Sequence, residues 1–236
     1  MEKTLIVANW KENKTASQTT EWFEKFSNPN SFRFAKQPSD GQIPNGAEIV
    51  VCPSFVLIPV LHSSLSSANP FSLYLGAQDV SKFEEGQYTG EVSAKMLKDF
   101  VKYVIVGHSE RRKYFGETDE DVNLKIEQCL KYGLVPIICI SNVEEAGRLK
   151  LDKPVFAYEP LFAVGTGIPD TPENANDFAR KIKNEVGRDV RVLYGGSVNA
   201  ENAKLFVSQP DISGVLVGQG SLDAGEFANI IETLNH

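Results

Sequence analysis

Residues 155–194 read VFAYEPLFAVGTGIPDTPENANDFARKIKNEVGRDVRVLY, and they hold one complete structural unit. Val155-Phe156-Ala157-Tyr158 is an uninterrupted apolar run, as expected of a strand buried on both faces. Thr171-Pro172-Glu173 supplies a capping side chain, a proline at the first helical position and an acid in the first turn, so a helix begins there. Ala175, Phe178, Ile182 and Val186 give that helix a buried stripe, and Gly187 stops it. Val190–Tyr194 is the next strand. Strand, helix and strand at this spacing make a crossover between parallel neighbours.

The same alternation runs outward in both directions. Apolar runs recur at Leu5–Ala8, Glu48–Cys52, Ser72–Gly76, Tyr103–Val106, Val135–Cys139 and Ser213–Val217, which with the two above makes eight. Between two of them Thr118 caps a helix whose first turn is Asp119-Glu120-Asp121, whose stripe is Val122, Ile126, Cys129 and Leu130, and which ends at Gly133. Eight units predict an α/β fold closed as a single (β/α)8 barrel over residues 1–236, with a doubly wound open sheet as the structural rival. Two crossovers depart from the rhythm. The first, residues 10–47, is extended and finishes in the polar stretch Gln37–Gly46, read as an exposed loop. The one after the fifth strand, residues 140–154, is shortened, with room for about two turns of helix at Val143–Leu149.

Composition narrows the function. With 42% hydrophobic residues and 24 basic against 31 acidic side chains, net −7, the chain has a sizeable core and no basic stripe for nucleic acid. The cysteines Cys52, Cys129 and Cys139 have neither disulfide-framework nor metal-site spacing. No apolar run is long enough to cross a bilayer and Leu5-Ile6-Val7-Ala8 is too short for a signal core, so no membrane partner and a reduced, cytoplasmic setting are expected.

In a parallel barrel all strand C-termini share one face, and there the chemistry collects. Asn9 and Lys11 follow the first strand, Gln78 the third, Gly107-His108-Ser109-Glu110 the fourth and Glu159-Pro160 the sixth. Gly195-Gly196-Ser197 and Gly218-Gln219-Gly220-Ser221 follow the last two. A tight turn would explain Gly-Gly-Ser alone. Two glycine turns feeding helices, with Lys11 converging on them, point instead to a phosphorylated ligand. His62 and His236 are incidental, whereas His108 stands at a strand end where a helix N-terminus would keep it neutral and donating. Glu159, behind an apolar strand and before a proline, is expected to be partly desolvated, with its pKa raised toward that of a general base. Residues 160–170 have an apolar middle and a Gly165-Thr166-Gly167 tip, which reads as a lid.

Asn9-Trp10-Lys11, Gly76-Ala77-Gln78, Gly90-Glu91, Gly107-His108-Ser109-Glu110-Arg111-Arg112, Phe115-Gly116-Glu117, Ala157-Tyr158-Glu159-Pro160, Gly165-Thr166-Gly167 and Tyr194-Gly195-Gly196-Ser197, in this order, resemble the triosephosphate isomerase family from first strand to last. The resemblance implies a TIM barrel that interconverts dihydroxyacetone phosphate and D-glyceraldehyde 3-phosphate through an enediolate, with no cofactor and no metal. It implies Glu159 as base, neutral His108 as electrophile and Lys11 as electrostatic stabiliser, with Glu110 positioning the lysine and Ser109 supporting the site. Asn9, Gly165, Ser197, Gly218 and Gln219 would bind substrate. It further implies a homodimer through residues 79–90, with Thr89 reaching the partner's site. Four places differ from the family pattern: Gln219 for a second glycine, which a positive φ would strain; Ile168-Pro169-Asp170 at the lid's far end; Phe162 for a tryptophan; and Ser141-Asn142 for Gly-Glu.

Two other phosphate-binding barrels fit the residues less well. An imine-forming aldolase needs a lysine inside a strand, and none of the eight runs has one. A metal-using epimerase needs clustered histidines, and only His108 is well placed. A non-catalytic barrel that binds a phosphate ligand is the alternative from another class.

Overall fold

The computed structural model describes residues 3–28, 47–67, 73–148, 154–163 and 165–234. Its strands are β1 (Thr4–Asn9), β2 (Ala47–Cys52), β3 (Leu73–Ala77), β4 (Tyr103–Val106), β5 (Val135–Ile140), β6 (Val155–Tyr158), β7 (Arg191–Tyr194) and β8 (Gly214–Val217). All pair in parallel with their sequence neighbours, and β8 returns to β1 in the register Leu5↔Gly214 to Ala8↔Val217. That last pairing closes the barrel and rules out the open sheet. It also explains Gly214, where a Cβ would stand 1.9 Å from the Leu5 carbonyl oxygen. The apolar runs place each strand to within about one residue.

The helices are α1 (Ala16–Ser27), α2 (Ile58–Ser67), α3 (Ala94–Leu97), α4 (Ser109–Phe115), α5 (Asp119–Lys131), α6 (Val143–Gly147), α7 (Pro172–Val186), α8 (Ala203–Val207) and α9 (Ala224–Thr233). Thr118 caps α5 in a reciprocal box with Asp121, and Thr171 caps α7 by accepting the Asn174 N–H. Both buried stripes need correction. In α5, Leu130 is 51% exposed, while Lys125 turns inward beside Val122, Ile126 and Cys129 because buried carboxylates draw it there. In α7 the buried face is Ala175, Asn176, Ala179 and Ile182, with Phe178 and Val186 only half-buried on its flanks. Asn176 is admitted because its side-chain oxygen accepts the Asp211 N–H. Among its described residues the shortened crossover holds the single-turn α6, capped by Asn142, and Leu149 lies outside the described residues. So do the Gln37–Gly46 stretch and His236, while His62 sits on α2 with its ring against Phe100.

The period-two alternation of the strands separates two cores. Leu5, Val7, Val50, Cys52, Ile105, Ile137, Cys139, Val155, Ala157, Leu193 and Leu216 fill the barrel interior. Their neighbours Ile6, Ala8, Ile49, Val51, Val104, Val106, Phe156, Val192 and Val217 meet the helices outside. Carried past the strand ends, the inward rows reach the mouth. Asn9 follows Leu5 and Val7, Glu159 follows Val155 and Ala157, Gly195 follows Leu193, and Gly218 follows Leu216. Asn9 and Glu159 therefore continue the rows that build the core, whereas in β4 the inward row leads to Gly107 and His108 follows the outward Val104 and Val106.

Candidate active site

At that face lies a cleft of about 370 Å³ lined by Asn9, Lys11, His108, Glu159, Gly165, Gly195, Gly196, Ser197, Gly218 and Gln219. Residues more than 200 positions apart in sequence meet here, as the barrel geometry requires. Ser109 and Glu110 stand immediately behind the lining through contacts to Glu159 and Lys11. Thr89 is not part of this cleft; it is exposed on the 79–90 loop.

Lys11 is held in a backbone conformation that side chains seldom adopt, φ 52°. Such a residue costs about 1–3 kcal/mol and persists only when its surroundings fix it. Its N–H donates to Asn9 Oδ1 (3.1 Å), and its carbonyl accepts from Gln78 Nε2 (2.9 Å) and Ser54 Oγ (3.1 Å). The strained turn brings Nζ to 2.5 Å from Glu110 Oε1, with the side-chain stem lying over Gly218. Ser54 had escaped the sequence reading; the only signal was a polar residue just after β2.

His108 is the N-cap of α4, and its Nδ1 accepts the Glu110 N–H at 3.2 Å. A nitrogen that accepts carries no proton, so the ring proton lies on Nε2, which faces Glu159 Oε1 at 3.0 Å. The second carboxylate oxygen accepts the Ser109 N–H at 2.9 Å. Glu159 is 2% exposed, and its Oε1 has no aligned hydrogen bond despite the close imidazole. Gly195 makes room for the carboxylate, since a Cβ there would meet Glu159 Cγ at 3.2 Å.

The expected upward shift of Glu159 is not present in this arrangement. Burial does push the carboxyl up, but the His108 imidazole and the Ser109 N–H outweigh it and hold the group below its ordinary value. His108 is the mirror case. Burial pushes the imidazole down, while Glu159, with a smaller contribution from Glu110, raises it above its usual value.

The end of the cleft beside the Gly195–Ser197 and Gly218–Gly220 turns is lined largely by backbone. The N–H groups of Gly196 and Ser197 donate to no backbone carbonyl among the described residues. Gln219 opens a short 3-10 turn, Gln219–Ser221, and is not among the residues of positive φ, so the strain that a glutamine would suffer there does not arise. The Ser197 hydroxyl reaches up to donate to the Ala163 carbonyl of the 160–170 segment at 2.8 Å. In that segment Leu161, Phe162 and Ile168 are exposed, while Val164 lies outside the described residues.

Behind α4 an ionic quartet, with Lys125 and Glu117 buried and Asp79 and Arg111 half-buried, was not foreseen from the sequence. Lys125 Nζ is 2.6 Å from both Asp79 Oδ1 and Glu117 Oε2, and Arg111 joins the same acids at 2.9 and 2.7 Å. Glu117 Oε1 also accepts the N–H of Gly107, the residue before His108 (3.1 Å). The quartet thus ties the start of the 79–90 loop to the strand end that carries the imidazole. Among the described residues no group of three or more His, Cys, Asp and Glu side chains could hold a metal ion, and no helix is long and apolar enough to cross a membrane.

A family model described as triosephosphate isomerase matches residues 4–234. The chain is similar to the triosephosphate isomerase of Mesomycoplasma hyorhinis, 39% identical over the whole of both chains. It is also similar to that of Aquifex aeolicus, 40% identical over 96% of this chain and 98% of that protein. A third relative, the triosephosphate isomerase of Solibacter usitatus, is 40% identical over 98% of this chain and 99% of its own.

Proposed function

We propose how Glu159, His108 and Lys11 act from one premise: the chain belongs to the triosephosphate isomerase family and interconverts dihydroxyacetone phosphate and D-glyceraldehyde 3-phosphate. The observation that carries the assignment of roles is the buried meeting of the His108 Nε2 and the Glu159 carboxylate beside the Lys11 ammonium.

The phosphate lies against the N–H groups of Gly165, Gly196, Ser197, Gly218 and Gln219, which leaves the three carbons facing Glu159. Substrate that enters between Glu159 and His108 separates them. The carboxylate then loses the contacts that hold its pKa down, burial dominates, and it becomes a stronger base where it is needed. It removes a proton from the carbon next to the carbonyl and returns it to the neighbouring carbon. The imidazole, freed of the carboxylate, keeps burial and the Glu110 N–H, both of which favour the neutral ring. Its Nε2–H donates to the carbonyl oxygen and then to the enediolate. Lys11 balances phosphate and enediolate charge, Glu110 orients it, and the Asn9 amide nitrogen is left for a ligand because its oxygen holds the Lys11 N–H.

Residues 160–170 close over the cleft and exclude water. The 79–90 loop, stiffened by the stack of Phe83 on Tyr88 (4.1 Å) and by the quartet, joins two copies as a homodimer and offers Thr89 to the partner's site. A light-scattering mass of a single chain would overturn that assembly. The barrel acts in the cytoplasm as one catalytic unit with no cofactor. The direct test is a coupled assay with glyceraldehyde 3-phosphate. Glu159→Ala should lower kcat by about 10²–10⁴-fold while a phosphorylated substrate analogue still binds. Equal turnover in variant and wild type would refute the base.

A further inference from the structure

Among the described residues two that are not glycine carry a positive φ, and both lie in the loop between β1 and α1. One is Lys11 of the cleft. The other, Lys14 at φ 73°, has no part in the chemistry above. A glycine would hold that backbone without strain, whereas a side chain there persists only when its surroundings fix it. They do so from both sides. Asn13 Nδ2 donates to the Trp10 carbonyl at 2.7 Å, and Thr15 caps α1 in a reciprocal box with Gln18.

The Lys14 side chain crosses the Trp10 ring, with Nζ 5.1 Å from its centre, and donates to the Leu222 carbonyl at 2.6 Å. It does not line the cleft. It lines a second cavity of about 350 Å³ that shares Asn13 and Leu222 with the cleft but none of the reacting groups. Burial pushes the Lys14 ammonium below the ordinary lysine pKa, against the pull of Asp223 and Glu21. The group is partly desolvated, which strengthens its bond to a carbonyl.

Leu222 closes the turn that follows β8. Within that turn the Gly218 carbonyl accepts the Ser221 N–H (2.9 Å) and hydroxyl (2.7 Å), and the Gln219 carbonyl accepts the Leu222 N–H (3.1 Å). These bonds shape the turn but do not fix its tilt against the barrel. Two donors from elsewhere do: Trp22 Nε1 of α1 reaches the Ser221 carbonyl at 3.2 Å, and Lys14 Nζ reaches the next carbonyl, that of Leu222. On the cleft side a Cβ on Gly218 would stand 3.7 Å from Lys11 Cε. One loop therefore grips both ends of the turn, Lys11 at Gly218 and Lys14 at Leu222.

We propose that Lys14 is a positioning residue for the phosphate: its ammonium ties the β1–α1 loop to the Leu222 carbonyl and thereby sets the Gly218 and Gln219 N–H groups against the anion. The inference rests on the reading that phosphate binds at this turn. Lys14 touches no substrate; it decides how well the turn fits.

Lys14→Met keeps the length of the side chain and removes the donor. Lys14→Gly removes the donor and also relieves the backbone, so it carries the test if Lys14→Met does not fold. Each should raise the inhibition constant of inorganic phosphate about tenfold, the lower end for one hydrogen bond from a charged group, and lower kcat/KM for glyceraldehyde 3-phosphate by the same factor. For glyceraldehyde, which has no phosphate, kcat/KM should stay within about twofold of wild type. A general loss of stability or a displaced Lys11 would lower both substrates alike. An unchanged phosphate inhibition constant in either folded variant, or an equal fall with glyceraldehyde, would overturn the anchor. Gly218→Val places a side chain on the turn itself, beside the Lys11 stem. If it weakens phosphate while the Lys14 variants do not, the anchor alone fails; if it also leaves phosphate binding unchanged, the phosphate site at this turn fails with it.

Discussion

Lys125→Met removes the ammonium from a site where it faces two carboxylates at 2.6 Å, with side-chain exposures of 7% for Lys125, 15% for Asp79 and 3% for Glu117. Breaking a buried ion pair from one side costs about 3–5 kcal/mol, because the other side is left charged and poorly solvated. Arg111 remains in contact with both acids, which places the expected loss near the lower end, about 3 kcal/mol. For a chain of this size that is a fall of roughly 6–12 °C in melting temperature.

The pH dependence gives this prediction a second edge. Burial pushes Glu117 up, but Lys125 and Arg111 together hold it below its ordinary value. A depressed carboxyl contributes stability that is present above its unfolded pKa, ~4.3, and lost as pH falls through the folded value. Asp79 is already raised, chiefly by burial, and loses its nearest cation in the variant, so it takes up a proton more readily. The variant's deficit should therefore be full at neutral pH and shrink as pH falls below ~4.3, where the wild type loses the Glu117 contribution. Urea unfolding of both proteins at about pH 7.5 and about pH 4, at one protein concentration, measures it. A deficit below about 1 kcal/mol, or one of equal size at both pH values, would refute the reasoning.

The Glu159–His108 coupling predicts a pH-dependent stability of its own. Glu159 is depressed, so its contribution is present above ~4.3; His108 is raised, so its contribution is full below ~6.5 and declines above that as the ring deprotonates. The stability difference between wild type and His108→Asn should therefore peak at about pH 4.5–6.5, and a difference that changes in one direction throughout would count against the pairing. At the turn after β8, Gln219→Gly should lower stability by about 0.4–1 kcal/mol by loosening the unfolded chain. A gain in melting temperature would show hidden strain at that position.

The barrel was legible because its signals are repeated and local. Eight apolar runs, the Thr118 and Thr171 caps and the terminating glycines each specify an element without knowledge of the rest. Lys11, His108 and Glu159 were legible because strand polarity alone puts their positions on one rim. What failed depends on partners from elsewhere in the chain. Leu130 fits an apolar stripe by spacing, yet Lys125 takes the inner position because Asp79 and Glu117, 46 and 8 residues away, neutralise it. The downward shift of Glu159 depends on an imidazole and an N–H from another strand's loop, which no run of residues around Glu159 encodes.

Isomerisation in deuterated water tests the central assignment most directly, because a carboxylate that carries the proton between carbons exchanges it with solvent. Wild type should convert substrate to product with deuterium bound to carbon, and Glu159→Gln, folded and still binding phosphate, should show neither conversion nor exchange. Carbon-bound deuterium appearing at the wild-type rate in Glu159→Gln would mean that the proton is moved by some other group.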